Sequence, residues 1–437
     1  MSEQSKTVLF MPESAHGPTN NCIGIGDVLR RRGHRVVFAA ESSWRGKLEP
    51  LGFEEDLVDL APPPGPGATE AVDAGQFWKD FIRETAPEFR RPTIEQLESF
   101  MVPTWSALVD GARYCEPALR GIVDRVRPDV VVEDNVVGFA ALMTAGAPFV
   151  RIVSCQPLEV KGPGVPPTYS GLPAADPSGW ADFRAEYDRT HRPLWAEFDA
   201  WMQEQGAAPL PDLEFIHESA HANLYVYPAE ADYTDRRPLG PTWHRIDSSV
   251  RETDAEAGVP VALLDRPDGS ALCYLSLGSL GSADIDLMRR LVGVLSRTPH
   301  RYVVSMGPQH AELELAPNMW GAEFVAQTRI IPMVDLVITH GGNNTTTEAL
   351  HFGKPMVVLP LFWDQYDNAQ RMDELGLGVR LDTYRFTEAE LSGAIERCFG
   401  DTELQQRLDG IGRAVRDRDG IRVAAGVIEA VARSPRR

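Results

Sequence analysis

Short, unbroken apolar runs that end in small or polar residues restrict this chain to a narrow group of folds. In the first half they are TVLFMPE (7–13), RVVFAAE (35–41), DVVVED (129–134), PFVRIV (148–153) and ANLYVY (222–227). From about residue 270 a second set follows: ALCYLSLG (271–278), RYVVSM (301–306), EFVAQ (323–327), DLVITH (335–340), PMVVLP (355–360) and GVRLD (378–382). A strand that is apolar at successive positions has both faces covered, which is the habit of parallel sheets. Helical stretches separate the runs, so the expected class is α/β, with helices on both sides of each sheet. At 437 residues the chain exceeds one ordinary core. We expect a first domain over 1–235, a polar, acidic connection over 236–262 and a second domain over 263–437. The tail from about Asp401 reads as helical and is in reach of the first domain.

The formal net charge of −20 excludes a nucleic-acid partner, whose affinity rests on clustered Lys and Arg, and an anionic membrane surface. An anionic ligand must then be held by local features such as helix N-termini. The five cysteines form no CxxC pair, as expected of incidental thiols in a reducing compartment. MSEQSKTVLF lacks a basic segment followed by an apolar one, and the apolar stretch 136–150 is broken by Gly and Pro. A cytoplasmic protein, monomeric or homodimeric, is expected.

Two intervals leave the strand–helix rhythm. APPPGPGAT (61–69) opens one of them, with Phe77, Trp78, Phe81, Phe89, Phe100 and Trp105 behind it. A loop-like stretch from Gln156 opens the other, followed by a helix carrying Trp195, Phe198 and Trp201. These aromatics either fill local core or line a ligand surface built on the scaffold.

The segment HGGNNTTTEALHFGKPMVVLPLFWDQYDN (340–368) is the densest in chemistry. DLVITH delivers His340 at a strand end, where open parallel sheets bind ligands. Gly341 and Gly342 let a ligand approach the backbone. A helix then opens near Asn344 and Thr345, whose free N–H groups and partial positive charge suit a phosphate. Glu348, one turn on, is placed to accept hydrogen bonds from a ribose. Helix capping needs one polar residue rather than such a cluster. LSLGSLGS (275–282) has the same form, with Ser279 and Gly281 between a strand and a helix. GIGDVL (24–29) lacks the third glycine of a dinucleotide fingerprint and sits inside a helix expected from about Cys22.

In the first half, His16 lies in the loop after strand 7–13 and Asp134 ends strand 129–134. A lone loop histidine is ordinarily incidental. Two titratable groups at the ends of parallel strands nevertheless converge on one crevice, and a His oriented by a carboxylate is a recurrent general base. Glu133 points to the opposite face of its strand.

These residues resemble the family 1 glycosyltransferases, the UDP-glycosyltransferase superfamily. The resemblance spans nearly the whole chain and is most specific over 323–370. HGGNNTTTE is similar to the family's HxGxNSxxE, with Thr345 where Ser is common, and Asp364-Gln365 match its late Asp-Gln pair. The resemblance implies a GT-B fold of two facing Rossmann-like domains. It implies that His340, Gly342 and the Asn344/Thr345 helix start bind the diphosphate with help from Ser279, and that Glu348 binds the ribose. Asp364 and Gln365 would read the sugar. FVAQ resembles the family's WAPQ, so Gln327 would frame the base and Phe324 would replace the usual stacking Trp. His16 and Asp134 would be the catalytic dyad of an inverting transfer from a UDP-sugar to a hydrophobic acceptor such as an antibiotic, with no cofactor and no metal. A TDP-deoxysugar transferase is the main alternative; its members often carry a second His where this chain has Thr339. A catalytically silent ligand-binding homologue is the other.

Overall fold

The computed structural model describes residues 5–62, 80, 83–254, 258–265 and 269–434. Phe77, Trp78 and Phe81 lie outside them. The first sheet contains β1 (Thr7–Pro12), β2 (Arg35–Phe38), β3 (Glu54–Glu55), β4 (Val130–Asp134), β5 (Phe149–Val153), β6 (Ala222–Tyr225) and β7 (Trp243–Arg245). The second contains β8 (Leu272–Ser276), β9 (Arg301–Ser305), β10 (Met319–Ala322), β11 (Leu336–Thr339), β12 (Met356–Val358) and β13 (Gly378–Arg380). All pairings are parallel. Strand alternation divides the apolar runs between two cores. Leu9, Met11 and Val131 face one side of the first sheet, while Val8, Phe10, Val130 and Val132 face the other.

Six helices matter for the site: α1 (His16–Arg31), α2 (Val102–Val126), α3 (Trp180–Glu204), α4 (Asn343–His351), α5 (Gln365–Glu374) and α6 (Gly420–Ala432). The last crosses back to the first sheet. Ala424, Ala425 and Ile428 join the core on the side of α1, with Val8 and Phe10. Among the described residues no helix is long and apolar enough to cross a membrane. Cys22, Cys115, Cys155, Cys273 and Cys398 are free thiols.

Three expectations are corrected. The first helix begins at His16, six residues before Cys22, because Pro18 falls in its first turn, where a missing N–H costs nothing. His16 is therefore a helix-start residue and not a loop residue. EFVAQ is not a strand: the tenth strand ends at Ala322. Gly307, in the left-handed region at φ 77°, donates to the Glu323 carbonyl and turns its own chain away, so pairing stops there. The helix after His340 opens at Asn343, ahead of Thr345, with Gly342 at its cap.

Candidate active site

Both sheets reverse their strand order at one point. The orders are β3-β2-β1-β4-β5-β6-β7 and β10-β9-β8-β11-β12-β13. The reversals lie between β1 and β4 and between β8 and β11, and such a point opens a crevice beyond the strand ends. His16 follows β1 and Asp134 ends β4. Gly278 and Ser279 follow β8 and His340 follows β11. The chemistry singled out in the sequence thus sits at the two switch points.

The two crevices meet. The Asn344 amide donates to the Gly17 carbonyl at 3.0 Å and accepts from Asn21 at 3.2 Å. The His16 ring lies 5.6 Å from the Phe324 ring and 5.2 Å, edge-on, from Trp44. Phe324 is 48% exposed, since it stands outside the second sheet and hangs over the first. Asp134 is buried and accepts from the Ser154 hydroxyl at 2.6 Å, while its Oδ2 has no hydrogen-bond partner. Burial pushes its carboxyl up to about 8, with the Ser154 hydrogen bond opposing.

His340 fills the space between the two glycine-bearing turns. A Cβ at Gly278, whose φ is 72°, would stand 2.8 Å from the imidazole. One at Gly342 would stand 2.6 Å from its Nε2. The glycines are therefore required by the ring as well as by backbone approach. Burial lowers the His340 pKa to about 4, against a hydrogen bond with the Ser276 backbone. A neutral imidazole at pH 7 offers one N–H rather than a charge. Ser279 lies in the one-turn helix Gly278–Gly281 beside it.

Behind this turn runs a chain of side chains. The Gln327 carbonyl accepts from Tyr274 and Thr345, at 3.2 and 3.3 Å, and its amide donates to Glu348 at 2.7 Å. Arg251, from the connection between the sheets, stands 3.6 Å from the other Glu348 oxygen. Burial raises the Glu348 carboxyl to about 7, with Arg251 and Gln327 opposing. Asp364 and Gln365 are buried. Asp364 accepts from the Gln156 backbone N–H at 2.8 Å, and the Gln365 carbonyl accepts from the N–H groups of Leu361 and Phe362. Burial raises the Asp364 carboxyl to about 7.

The structure thus brings His16, Phe324 and Asn344 together, with Asp134 at the end of β4 and His340 at the end of β11, and sets Gln327, Thr345 and Glu348 behind the His340 turn. Sequence reading passed over Asn21, Trp44, Gln156 and Arg251. Gln156 was accessible by the same strand-end rule, since it follows β5. Arg251 carried no signal within an acidic stretch. Of the excursion aromatics, Phe89, Phe100, Trp105 and Phe198 are buried as core. Phe89 and Phe100 pack on Phe362, and Trp105 packs on Trp363.

Two parallel-sheet domains meeting at their switch points have the architecture of the GT-B fold. Residues 267–418 match the family described as UDP-glucoronosyl and UDP-glucosyl transferase. Demethyllactenocin mycarosyltransferase of Streptomyces fradiae is 26% identical over 427 residues, covering 97% of this chain and 86% of that protein. Oleandomycin glycosyltransferase of Streptomyces antibioticus is 26% identical, covering 95% and 89%. The solved glycotransferase of kitacinnamycin superposes with a TM-score of 0.68 at 22% identity, over 98% of this chain and 99% of that one. The glycosyltransferase VinC, in complex with dTDP, gives 0.63 at 17%, over 98% and 99%. The second half of the chain thus matches the UDP-glucoronosyl and UDP-glucosyl transferase family, and glycosyltransferases are similar to it along nearly its whole length in sequence and in fold.

Proposed function

We propose that this chain is an inverting transferase that moves glucose from UDP-glucose to a hydroxyl of a hydrophobic small molecule, such as a polyketide, macrolide or ansamycin antibiotic. The observation that supports this most is the direct meeting of the His16 switch point with the His340 switch point across Asn344 and Gly17. It leaves the base and the phosphate turn on opposite walls of one seam. His16 takes the proton of the acceptor hydroxyl, whose oxygen bonds to the anomeric carbon as the bond to the diphosphate breaks. Asp134 in its ionised form, which its raised carboxyl reaches as pH climbs through about 8, stabilises the imidazolium that forms. The N-terminus of α4 stabilises the leaving diphosphate without a metal ion, and His340 adds its single N–H on turning it from the Ser276 backbone to the phosphate. Ser279 adds a donor, Glu348 holds the ribose, and Gln327 and Phe324 frame the base. We place the reaction in the cytoplasm.

A second reading, transfer of a TDP-bound deoxysugar, draws support from the mycarosyltransferase among the relatives and from the dTDP complex among the similar structures. The Asp364-Gln365 pair favours glucose. A buried site built to bond hydroxyls penalises a sugar that lacks them, because its polar groups stay unpaired. The test is competition between UDP-glucose and a 2,6-dideoxy donor of the same nucleotide over an acceptor panel, read by product mass. UDP-glucose is expected to win by a wide margin in the wild type, and Asp364→Ala to narrow it. Preference for the deoxysugar contradicts the glucose reading.

A further inference from the structure

Helix α5 carries a polar stripe at positions 364, 367, 368, 371 and 374, spacing that puts all five on one face. Every one of them bonds to the first half of the chain. Asp364 accepts from Gln156 N–H; Asn368 accepts from the Tyr227 hydroxyl at 3.0 Å. Arg371 donates to the carbonyls of Ala231 and Asp232, and Glu374 accepts from Ala174 N–H. At the centre, the buried Asp367 accepts from two backbone amides, Tyr169 N–H at 2.5 Å and Gly171 N–H at 2.8 Å. Asn368 also donates to the carbonyl of Gly341, in the turn beside His340.

Both ends of one loop are therefore held by one helix turn. The loop starts at Gln156, on Asp364, and reaches Tyr169–Gly171, on Asp367. Tyr169 and Gly171 are both left-handed, with φ of 68° and 60°. That conformation is unfavourable for Tyr and persists only where its surroundings impose it. Two backbone hydrogen bonds to one buried carboxyl group supply such a constraint. They also seat the Tyr169 ring 4.9 Å from Trp363, the residue before Asp364.

We infer that Asp367 is a positioning residue that fixes the 156–171 loop across the sugar-reading end of α5, so that the anomeric carbon meets the acceptor and not water. This rests on the reading of Asp364 as a sugar contact. When the constraint is removed, water replaces the acceptor: its oxygen bonds to the anomeric carbon, the bond to the diphosphate breaks, and the water proton passes to His16.

The full chain is compared with Asp367→Ala and with the nearly isosteric Asp367→Asn, which keeps one acceptor oxygen and preserves the test if the alanine variant does not fold. Hydrogen exchange of the segment 156–174 and acceptor-free hydrolysis of UDP-glucose to UDP are measured, with UDP affinity by calorimetry. In Asp367→Ala, exchange of the segment and hydrolysis are each expected to rise about tenfold, as for the loss of two modest hydrogen bonds, while UDP affinity holds. Asp367→Asn is expected to fall between. Unchanged exchange, or faster exchange with unchanged hydrolysis, overturns the inference. A wild type that neither binds UDP nor hydrolyses UDP-glucose contradicts the donor reading instead, and the exchange arm still reads the Asp367 contact.

Discussion

Asn344, in the first turn of α4, donates its side-chain amide to the backbone carbonyl of Gly17, one residue after His16. One side chain thus bridges the two switch points. Asn344→Ala removes this bond and the one from Asn21. The expected cost is about 1–3 kcal/mol of stability, for two neutral hydrogen bonds, with a fall in kcat larger than the change in UDP affinity. Denaturant melts and steady-state kinetics check this. Unchanged kcat at the expected stability loss would reduce the bridge to a structural contact.

Gly342→Ala is expected to act as a His340 variant. The added Cβ would collide with the imidazole at Nε2, so the ring must leave its place between the turns. UDP binding should weaken by about 1–3 kcal/mol in Gly342→Ala and in His340→Ala alike, the worth of one hydrogen bond to a charged group. Because burial keeps the imidazole neutral down to about pH 4, the loss should be the same at pH 6 and pH 8. Calorimetry with UDP measures both; a loss that grows on acidification would show a charged His340.

Stability is expected to decline as pH rises. Burial pushes the carboxyls of Asp134 and Asp367 up to about 8. The folded chain then holds these protons more tightly than the unfolded one. Their contribution is full below the ordinary carboxyl range and is lost as pH climbs through about 8. Thermal melts between pH 5 and pH 9 test this. Asp134→Asn should flatten the decline and melt closer to the wild type, or above it, at pH 9 than at pH 5. An equal decline in both proteins contradicts the buried-acid assignment.

How much was legible follows from where each kind of information resides. Ten of the thirteen strands were readable, since apolar runs such as VVVED and LVIT suit strands covered on both faces. EFVAQ was overruled by a turn at Gly307 in another segment, and β3, β10 and β7 went unread, the last because it lies in the polar stretch 236–262 and yet pairs with β6. His16, Asp134 and His340 were readable because strand ends in parallel sheets are privileged positions. The meeting of the first sheet's crevice with the second's was not, because it depends on how the two halves pack. The commitments of Asn344 to Gly17 and of Asp364 to Gln156 were also hidden. Each joins residues far apart in the chain, and no local pattern encodes such a partner.

His16 carries the central claim. It is on the first sheet, whereas the nucleotide is assigned to the second, so chemistry and donor binding should separate. The direct measurement is single-turnover transfer from UDP-glucose by His16→Ala, with UDP affinity taken by calorimetry on the same preparation. Transfer is expected to fall by about 10²–10⁴-fold, the usual worth of a positioned general base, with UDP affinity within a factor of two or so of wild type. Near wild-type transfer, or a loss of UDP binding that matches the loss of rate, would contradict His16 as the base.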